Sequence, residues 1–280
     1  MHRGFGLGRP GARQYLATFY AMSKKVVVEY SRYPVAFVAI FVQIFLIILL
    51  FIMAAKAFET PGAGTLTYFA GMMAYGFVTN IILSFTLWEV GYSIREEQVR
   101  GTLESLYLSP TNKFSNLLSR IFAVLTWTTL ISIGGLALVS GVVGGLPVNN
   151  VGMALFVLFF TTTGFLGIGF VFAGITIKIK ETAQTLVNGL QFFFMIFSAQ
   201  FFPFAVLPEP IRIYISRWLP VSYAVDLFRT TLLNIPPELA PVSIELVIVV
   251  AFGILSPIVG YWYYNWVDHK ARAEGTLGEY

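Results

Sequence analysis

One short charged segment of this chain, residues 95–110, lies between two long and largely uncharged stretches. Five of its sixteen residues are acidic or basic. Glu96 and Arg100 stand four residues apart with the acid first, the order in which opposite charges pair best on a helix. Side chains of this kind form ion pairs and hydrogen bonds with another surface. The segment is therefore the first candidate for a binding site.

The same segment has the apolar spacing of a helix. Val99, Leu103 and Leu106 recur at i, i+4 and i+7, which places them on one edge. Pro110 ends the pattern, because the residue before a proline is disfavoured in the α region. The pattern predicts one amphipathic helix over residues 95–109.

The charge balance of this helix indicates what it binds. It carries three acids and two bases, whereas helices that lie on a membrane surface are usually rich in lysine and arginine. The cytoplasmic leaflet is anionic, so a net-negative helix beside it favours a protein partner. A helix that lies on the bilayer surface is the alternative.

The residues required for thiolate metal binding, histidine-based catalysis and ATP hydrolysis at a phosphate loop are missing from the predicted spans and loops. The chain has no cysteine, and its two histidines, His2 and His269, lie in the terminal tails. This excludes thiolate metal sites and any histidine-based catalytic or zinc site inside a membrane. No G-x-x-x-x-G-K-[ST] phosphate loop occurs, so this chain is not expected to hydrolyse ATP by that route. We expect no metal and no cofactor bound to this chain.

The composition is that of a membrane protein. Hydrophobic residues make up 57% of the chain and charged residues 11%, against about 25% charged residues in soluble domains. A membrane-spanning helix needs about 20 apolar residues, and the uncharged runs supply six such helices. The sequence therefore predicts an all-α polytopic membrane protein. The predicted spans are residues 35–55, 67–89, 114–139, 151–177, 185–202 and 246–267.

Breaks in the apolar runs predict the connections. Glycines and a proline in residues 141–150 predict a tight turn between the third and fourth spans. Residues 13–33 have the pattern of a basic amphipathic helix at the membrane surface. Prolines before the last span delimit two short helices, 210–218 and 221–233. We interpret these as half-helices at the outer membrane edge, with a plain external loop as the alternative.

The basic residues predict the orientation. With six spans, both termini lie on one side, together with residues 95–110 and 178–182. Fourteen lysines and arginines fall on that side and four on the other, so the positive-inside rule places it in the cytoplasm. The predicted organisation is a cytoplasmic N-terminus (1–34), a membrane domain (35–267) and a cytoplasmic tail (268–280).

Few polar residues interrupt the predicted spans. Their commonest role is helix packing, and the alternative is that they line a substrate path with the phenylalanines of the fifth span. The candidate path residues are Asn80, Asn188, Gln191, Phe194 and Phe197. Glycines on the fourth span would permit close helix contact; these are Gly164, Gly167, Gly169 and Gly174.

Two other classes of protein fit less well. A secondary transporter driven by ions or protons usually keeps ionisable residues inside its bundle, and the predicted spans have almost none. A membrane-embedded enzyme would need carboxylates or histidines clustered at one depth, and the sequence has no such cluster.

Two stretches of the chain resemble a known family, the permeases of type-2 ABC exporters. The first is the charged segment, and the second precedes the last span. They read Arg100-Gly101-Thr102-Leu103-Glu104 with Ser109-Pro110, and Leu207-Pro208 with Trp218-Leu219-Pro220-Val221-Ser222-Tyr223-Ala224 and Arg229. The N-terminal amphipathic helix, the six spans and the paired half-helices are also similar, so the resemblance covers essentially the whole chain.

The resemblance implies a function. Such permeases reside in the prokaryotic plasma membrane and work in pairs, as a homodimer or with a close homologue. They act with two cytoplasmic ABC ATPase subunits, which bind the ATP and magnesium, and export drugs, lipids or lipid-linked glycans. No nucleic acid is involved. The 95–109 helix would be the coupling helix that enters a groove of the ATPase, with Lys178, Lys180 and Glu181 forming a second cytoplasmic loop. The implied coupling residues are Glu96, Glu97, Arg100, Gly101, Thr102, Leu103, Glu104 and Leu106.

Overall fold

The computed structural model describes residues 65–92, Gly101, 113–179 and 182–273, together with isolated positions between 20 and 56. Regular structure in these parts of the chain is helical throughout, which confirms the all-α class for them. The α-helices there are α1 (Thr65–Phe85), α2 (Lys113–Val143), α3 (Val151–Lys178), α4 (Ala183–Phe197), α5 (Glu209–Tyr214), α6 (Pro220–Leu233) and α7 (Val242–Ala273). A π-helical segment, Thr86–Tyr92, continues α1, and 3-10 turns lie at Phe204–Val206 and Ser216–Trp218.

Three helices in the described part of the chain are long and apolar enough to cross a membrane. They are Tyr68–Tyr92, Val151–Ile177 and Val242–Ala271, which correspond to the second, fourth and sixth predicted spans. α2 has 31 residues, a length of about 46 Å, and its apolar part, Thr128–Val143, overlaps the third predicted span. The first span and the 13–33 helix lie largely outside the described residues, so the count of six spans stays a prediction.

The most extensive helix–helix contact joins α3 to α7. It depends on glycines: a Cβ on Gly260 would lie 2.2 Å from the carbonyl oxygen of Gly167, and a Cβ on Gly164 would lie 2.2 Å from the ring of Phe252. Ser256 Oγ also donates a hydrogen bond of 2.8 Å to the Gly164 carbonyl. The prediction that glycines of the fourth span permit close contact is confirmed. The opposite face of α7 exposes large apolar side chains, as expected of a helix in contact with lipid.

The far end of α1 widens into the π-helical segment and packs on the end of α3. Gly91 lies against the ring of Phe172, where a Cβ would be only 2.6 Å from a ring carbon. Thr176 Oγ1 donates to the carbonyl of Gly91 at 3.2 Å. The π-helical segment and α3 therefore end at the same end of the bundle, as the sequence predicts.

The opposite end of the bundle holds the turn between α2 and α3 and the short helices. Gly144 and Gly145 have φ values of 87° and 122°, which confirms the predicted break. Asn149 donates its backbone N–H and its side-chain amide to the carbonyl of Leu232, each at 3.0 Å. Tyr75 of α1 hydrogen-bonds to the Pro147 carbonyl. The turn therefore packs on α6.

The two short helices predicted before the last span are also confirmed. Each helix has a proline in its first turn: Pro210 is the second residue of α5, and Pro220 is the first residue of α6. Proline suits this position because the first helical N–H has no partner within the helix. α6 is buried along most of its length, so this region is not a loose loop.

The predicted fifth span, 185–202, is wrong at its end. α4 stops at Phe197, which makes it about 22 Å long, shorter than the bilayer core of about 30 Å. The backbone N–H of Gln200 bonds to the carbonyl of Met195 at 3.1 Å, and that of Ala199 to Ile196 at 3.1 Å. Ala199 has φ 48°, so this is a Schellman ending with alanine where glycine is usual. The uncharged run contains no signal for it.

Candidate functional site

A chain of polar side chains joins α1 to α4 and the turn after it. Asn80 Nδ2 donates to Gln200 Oε1 at 2.6 Å, and Gln191 Nε2 donates to Ser84 Oγ at 2.7 Å. Ser84 Oγ in turn donates to the carbonyl of Asn80 at 2.8 Å. Asn80 and Ser84 are four residues apart and so share a helix face. We call these four residues the amide strip.

Gly76 lies on the same face of α1, one turn before Asn80. A Cβ on Gly76 would lie 1.7 Å from the carbonyl oxygen of Gln200, so only glycine allows the turn after α4 to approach α1 so closely. Gln200 itself is fully buried, and its Nε2 has no hydrogen-bond partner within the described part of the chain. The amide strip therefore contains one unused donor.

Arg229 of α6 is fully buried and binds three backbone carbonyls. Its Nε donates to Met72 at 2.9 Å, Nη2 to Gln200 at 2.6 Å and Nη1 to Phe202 at 3.2 Å. Met72 belongs to α1, and the other two carbonyls are freed where α4 ends. A guanidinium, with five donors in a fixed plane, suits several acceptors at once. Arg229 thus ties α1, α6 and the turn after α4 together.

Acidic side chains lie close to Arg229, on α6 itself and in the residues before and within the first turn of α7. Asp226 Oδ2 accepts hydrogen bonds from the backbone N–H groups of Glu238 at 2.7 Å and Leu239 at 2.9 Å. Glu245, in the first turn of α7, accepts one from Ala240 at 3.1 Å, and its carboxyl group interacts with that of Asp226. Asp226 and Glu245 are each at most 1% exposed.

Burial governs the charge states on α6. It lowers the pKa of Arg229 to about 10, which leaves the guanidinium cationic at neutral pH. Burial also raises the pKa of Asp226, although the hydrogen bonds to its carboxylate and the charge of Arg229 act in the opposite direction. Burial likewise raises the pKa of Glu238, whose Oε2 accepts from the Ala205 N–H at 3.0 Å.

The structure brings together only some of the predicted path residues. Asn80 and Gln191 both belong to the amide strip. Asn188 is exposed on α4, Phe194 is buried in the core and Phe197 is half-buried. Whether any of them contacts a substrate stays a prediction.

Of the eight predicted coupling residues, only Gly101 lies in the described part of the chain. It is exposed, with φ 66°, in the left-handed region. An α-helix cannot continue through this conformation, so the prediction of one unbroken helix over 95–109 is wrong at Gly101. The other seven coupling residues lie outside the described residues: Glu96, Glu97, Arg100, Thr102, Leu103, Glu104 and Leu106.

The predicted second loop is short in the structure. Lys178 is the last residue of α3, Ile179 caps it and α4 begins at Ala183. Lys180 and Glu181 lie outside the described residues. α3 and α4 are therefore joined by a connection of only four residues, 179–182.

Sequence reasoning missed the buried ionic groups. Arg229 is one of the four basic residues assigned to the outer side, and Glu245 directly precedes the predicted span 246–267. The structure buries both completely. The i, i+3 spacing of Asp226 and Arg229 could have indicated a shared role, but it does not indicate burial.

The described part of the chain has three apolar helices of spanning length. Buried polar side chains connect its helices. These features are those of a polytopic α-helical membrane protein. The family model of the ABC-2 type transporter matches residues 17–233. The match covers more than half of the chain, so the chain belongs to the ABC-2 type transporter family. This makes it a permease component of ABC-type transport, a component that typically pairs with an ATPase subunit. No individual curated protein matches the chain with significant sequence similarity.

Proposed function

We propose that this chain is the membrane-spanning subunit of an ATP-driven exporter in the prokaryotic plasma membrane. It would pair with a second permease copy and two separate ABC ATPase subunits, which bind the ATP and magnesium. The observation that carries this proposal is the family match over residues 17–233. The termini and residues 95–110 are taken as cytoplasmic because fourteen of the eighteen lysines and arginines lie on that side.

The proposed substrate is amphiphilic, of the drug, lipid or lipid-linked glycan class. Two features support this class. The amide strip offers hydrogen-bonding groups between α1 and α4, with an unused donor at Gln200 Nε2. α4 exposes large apolar side chains next to it, among them Phe192, Phe193 and Ile196. A substrate with a polar head and an apolar body matches both.

The proposed coupling element is the segment around Gly101. ATP-driven closure of the ATPase pair would press on residues 95–109, and the π-helical segment Thr86–Tyr92 would carry the displacement into α1. That segment is packed on α3 through Gly91 and Thr176. A push there would reach α1 and α3 together.

Substitutions in the coupling segment test this proposal. Glu104→Lys should weaken ATPase binding by about 30-fold or more, since disruption of an interfacial charged hydrogen bond costs about 2–5 kcal/mol. Gly101→Trp should abolish it, because the indole would clash with the bound ATPase subunit and the left-handed φ of Gly101 disfavours a side chain. The measurements are pull-down of the ATPase subunit that co-purifies with the wild-type chain and its substrate-stimulated turnover.

Gly101→Asn is the matched control. Asparagine tolerates the left-handed conformation, and a Cβ at Gly101 meets nothing within 4 Å in this chain. This variant should keep most of the ATPase binding. If Glu104→Lys and Gly101→Trp both bind and transport like the wild type, the segment does not couple the subunits. If no ATPase subunit co-purifies with the tagged wild-type chain, the exporter proposal itself is wrong.

A further inference from the structure

Asp226 of α6 and Glu245 of α7 form a buried pair of carboxyl groups. Both side chains are fully buried, and their carboxyl groups lie close enough to interact directly. Two ionised carboxylates have acceptors only, so such a contact requires one proton between them. Like charges this close also disfavour the doubly ionised state.

The hydrogen-bond donors around the pair indicate which carboxyl group holds the proton. Asp226 Oδ2 accepts two backbone N–H groups, and Arg229 lies three residues along the same helix. Both features favour an ionised Asp226. Glu245 accepts only the Ala240 N–H, on Oε1. Its Oε2 is buried, and no donor from the described part of the chain reaches it.

We propose that Asp226 and Glu245 form a proton-binding site in which Glu245 Oε2 carries the proton and donates it to the Asp226 carboxylate. The proton then supplies the hydrogen bond that fastens the first turn of α7 to α6. Arg229, three residues further along α6, connects this helix to α1 and to the turn after α4. Loss of the proton would leave two anions facing each other and loosen the α6–α7 contact.

The surrounding charged and titratable groups are few. Arg229 and Tyr223 belong to α6, Glu238 to the loop before α7, and Tyr68 to α1. Arg229 stabilises the ionised Asp226, whereas Glu238 adds negative charge on the same side. Glu238 is the one neighbour that could hold a proton in place of Glu245, so the experiment must separate the two.

Infrared spectroscopy of the chain in phosphatidylcholine vesicles tests the site directly. The wild type should show the C=O stretch of a protonated carboxyl group near neutral pH, and the band should shift in D2O. Glu245→Gln should remove the band, because the amide donates to Asp226 in place of the proton. Glu238→Gln and the exposed control Glu209→Gln should retain it. A wild type without the band, a band that persists in Glu245→Gln, or one lost only in Glu238→Gln would each overturn the proposal.

Thermal unfolding in detergent across pH gives a second measurement. The folded wild type holds a proton that the unfolded chain releases above the ordinary glutamate pKa of about 4.3. Stability should therefore fall as pH rises, until the pair itself loses the proton. Glu245→Gln should have a flatter profile than Glu209→Gln. Identical slopes in the two variants would contradict a proton shared by this pair.

Discussion

The α3–α7 pair and the α1–α4 pair are built by different means. α3 and α7 approach through glycines, so that the carbonyl of Gly167 lies where a Cβ of Gly260 would be. α1 and α4 touch far less extensively and are joined by the side-chain amides of the amide strip. The first contact has backbone against backbone. The second consists of side-chain hydrogen bonds to α4 itself, and only the turn after α4 approaches the backbone of α1, at Gly76.

The difference indicates which part of the bundle can move. A backbone contact through glycines has one close-packed arrangement, because packed interiors do not deform continuously. Side-chain hydrogen bonds can exchange partners, with a substrate or water for example, at a modest net cost of about 1 kcal/mol each. We therefore expect α3 and α7 to move as one body and α1 to separate from α4 during transport.

The largest expected effect is at the glycine contact. Gly260→Leu places a side chain against the backbone of Gly167, which cannot yield as a flexible side chain would, so the variant should fail to accumulate as a folded protein. Gly189→Leu is the matched control, because a Cβ there meets nothing within 4 Å on α4. Fluorescence-detected size-exclusion chromatography measures both. A folded Gly260→Leu variant would contradict the rigid pair, and a folded but inactive Gly189→Leu variant would indicate a second copy packed on α4.

The next effect concerns Arg229, which holds α1 to the turn after α4. Arg229→Ala leaves three carbonyls without their donor and should lower the free energy of unfolding by about 3–5 kcal/mol. Arg217→Ala, at an exposed arginine nearby, should stay within about 0.5 kcal/mol. Thermal unfolding in detergent compares the two variants. Equal midpoints would mean that the three carbonyls do not depend on Arg229.

The smallest effect on stability is expected in the amide strip. Asn80→Ala should lower the free energy of unfolding by about 1–3 kcal/mol, because it leaves the buried Oε1 of Gln200 without its donor. The double variant Asn80→Leu/Gln200→Met replaces both amides by apolar groups of similar shape and should be nearly neutral in stability. The transport rate of this double variant shows whether the amide strip contacts substrate or only packs α1 against α4 and the turn after it. Lost transport with normal stability would favour a substrate path, and normal transport would leave the amides as packing contacts only.

The spans were predicted well where apolarity alone decides. The fourth span was expected over 151–177 and is observed as Val151–Lys178, since Asn150 and the glycines before it mark its start. The fifth was expected over 185–202, but α4 ends at Phe197. Apolarity does not report where a helix ends, and Ala199 lacks the usual glycine signal.

Some residues of the candidate site were predicted from the sequence and others were not. Asn80 and Gln191 were predicted as polar residues within spans, and they do meet in one strip. Gln200, which completes the strip, was expected to lie within a continuing helix. Arg229 was expected in a short helix at the outer membrane edge and Glu245 at the outer end of the sixth span, and neither position indicates that the side chain is buried.

The sequence by itself determined the membrane class, the approximate spans, the short helices before the last span and the family. These follow from local composition, from the prolines and glycines, and from the requirement that backbone groups in lipid be satisfied within helices. Only the tertiary structure decided that Arg229 binds carbonyls of α1 and the α4 turn, and that Asp226 meets Glu245. Such contacts join residues distant in the chain, and their energies depend on burial that no single segment encodes.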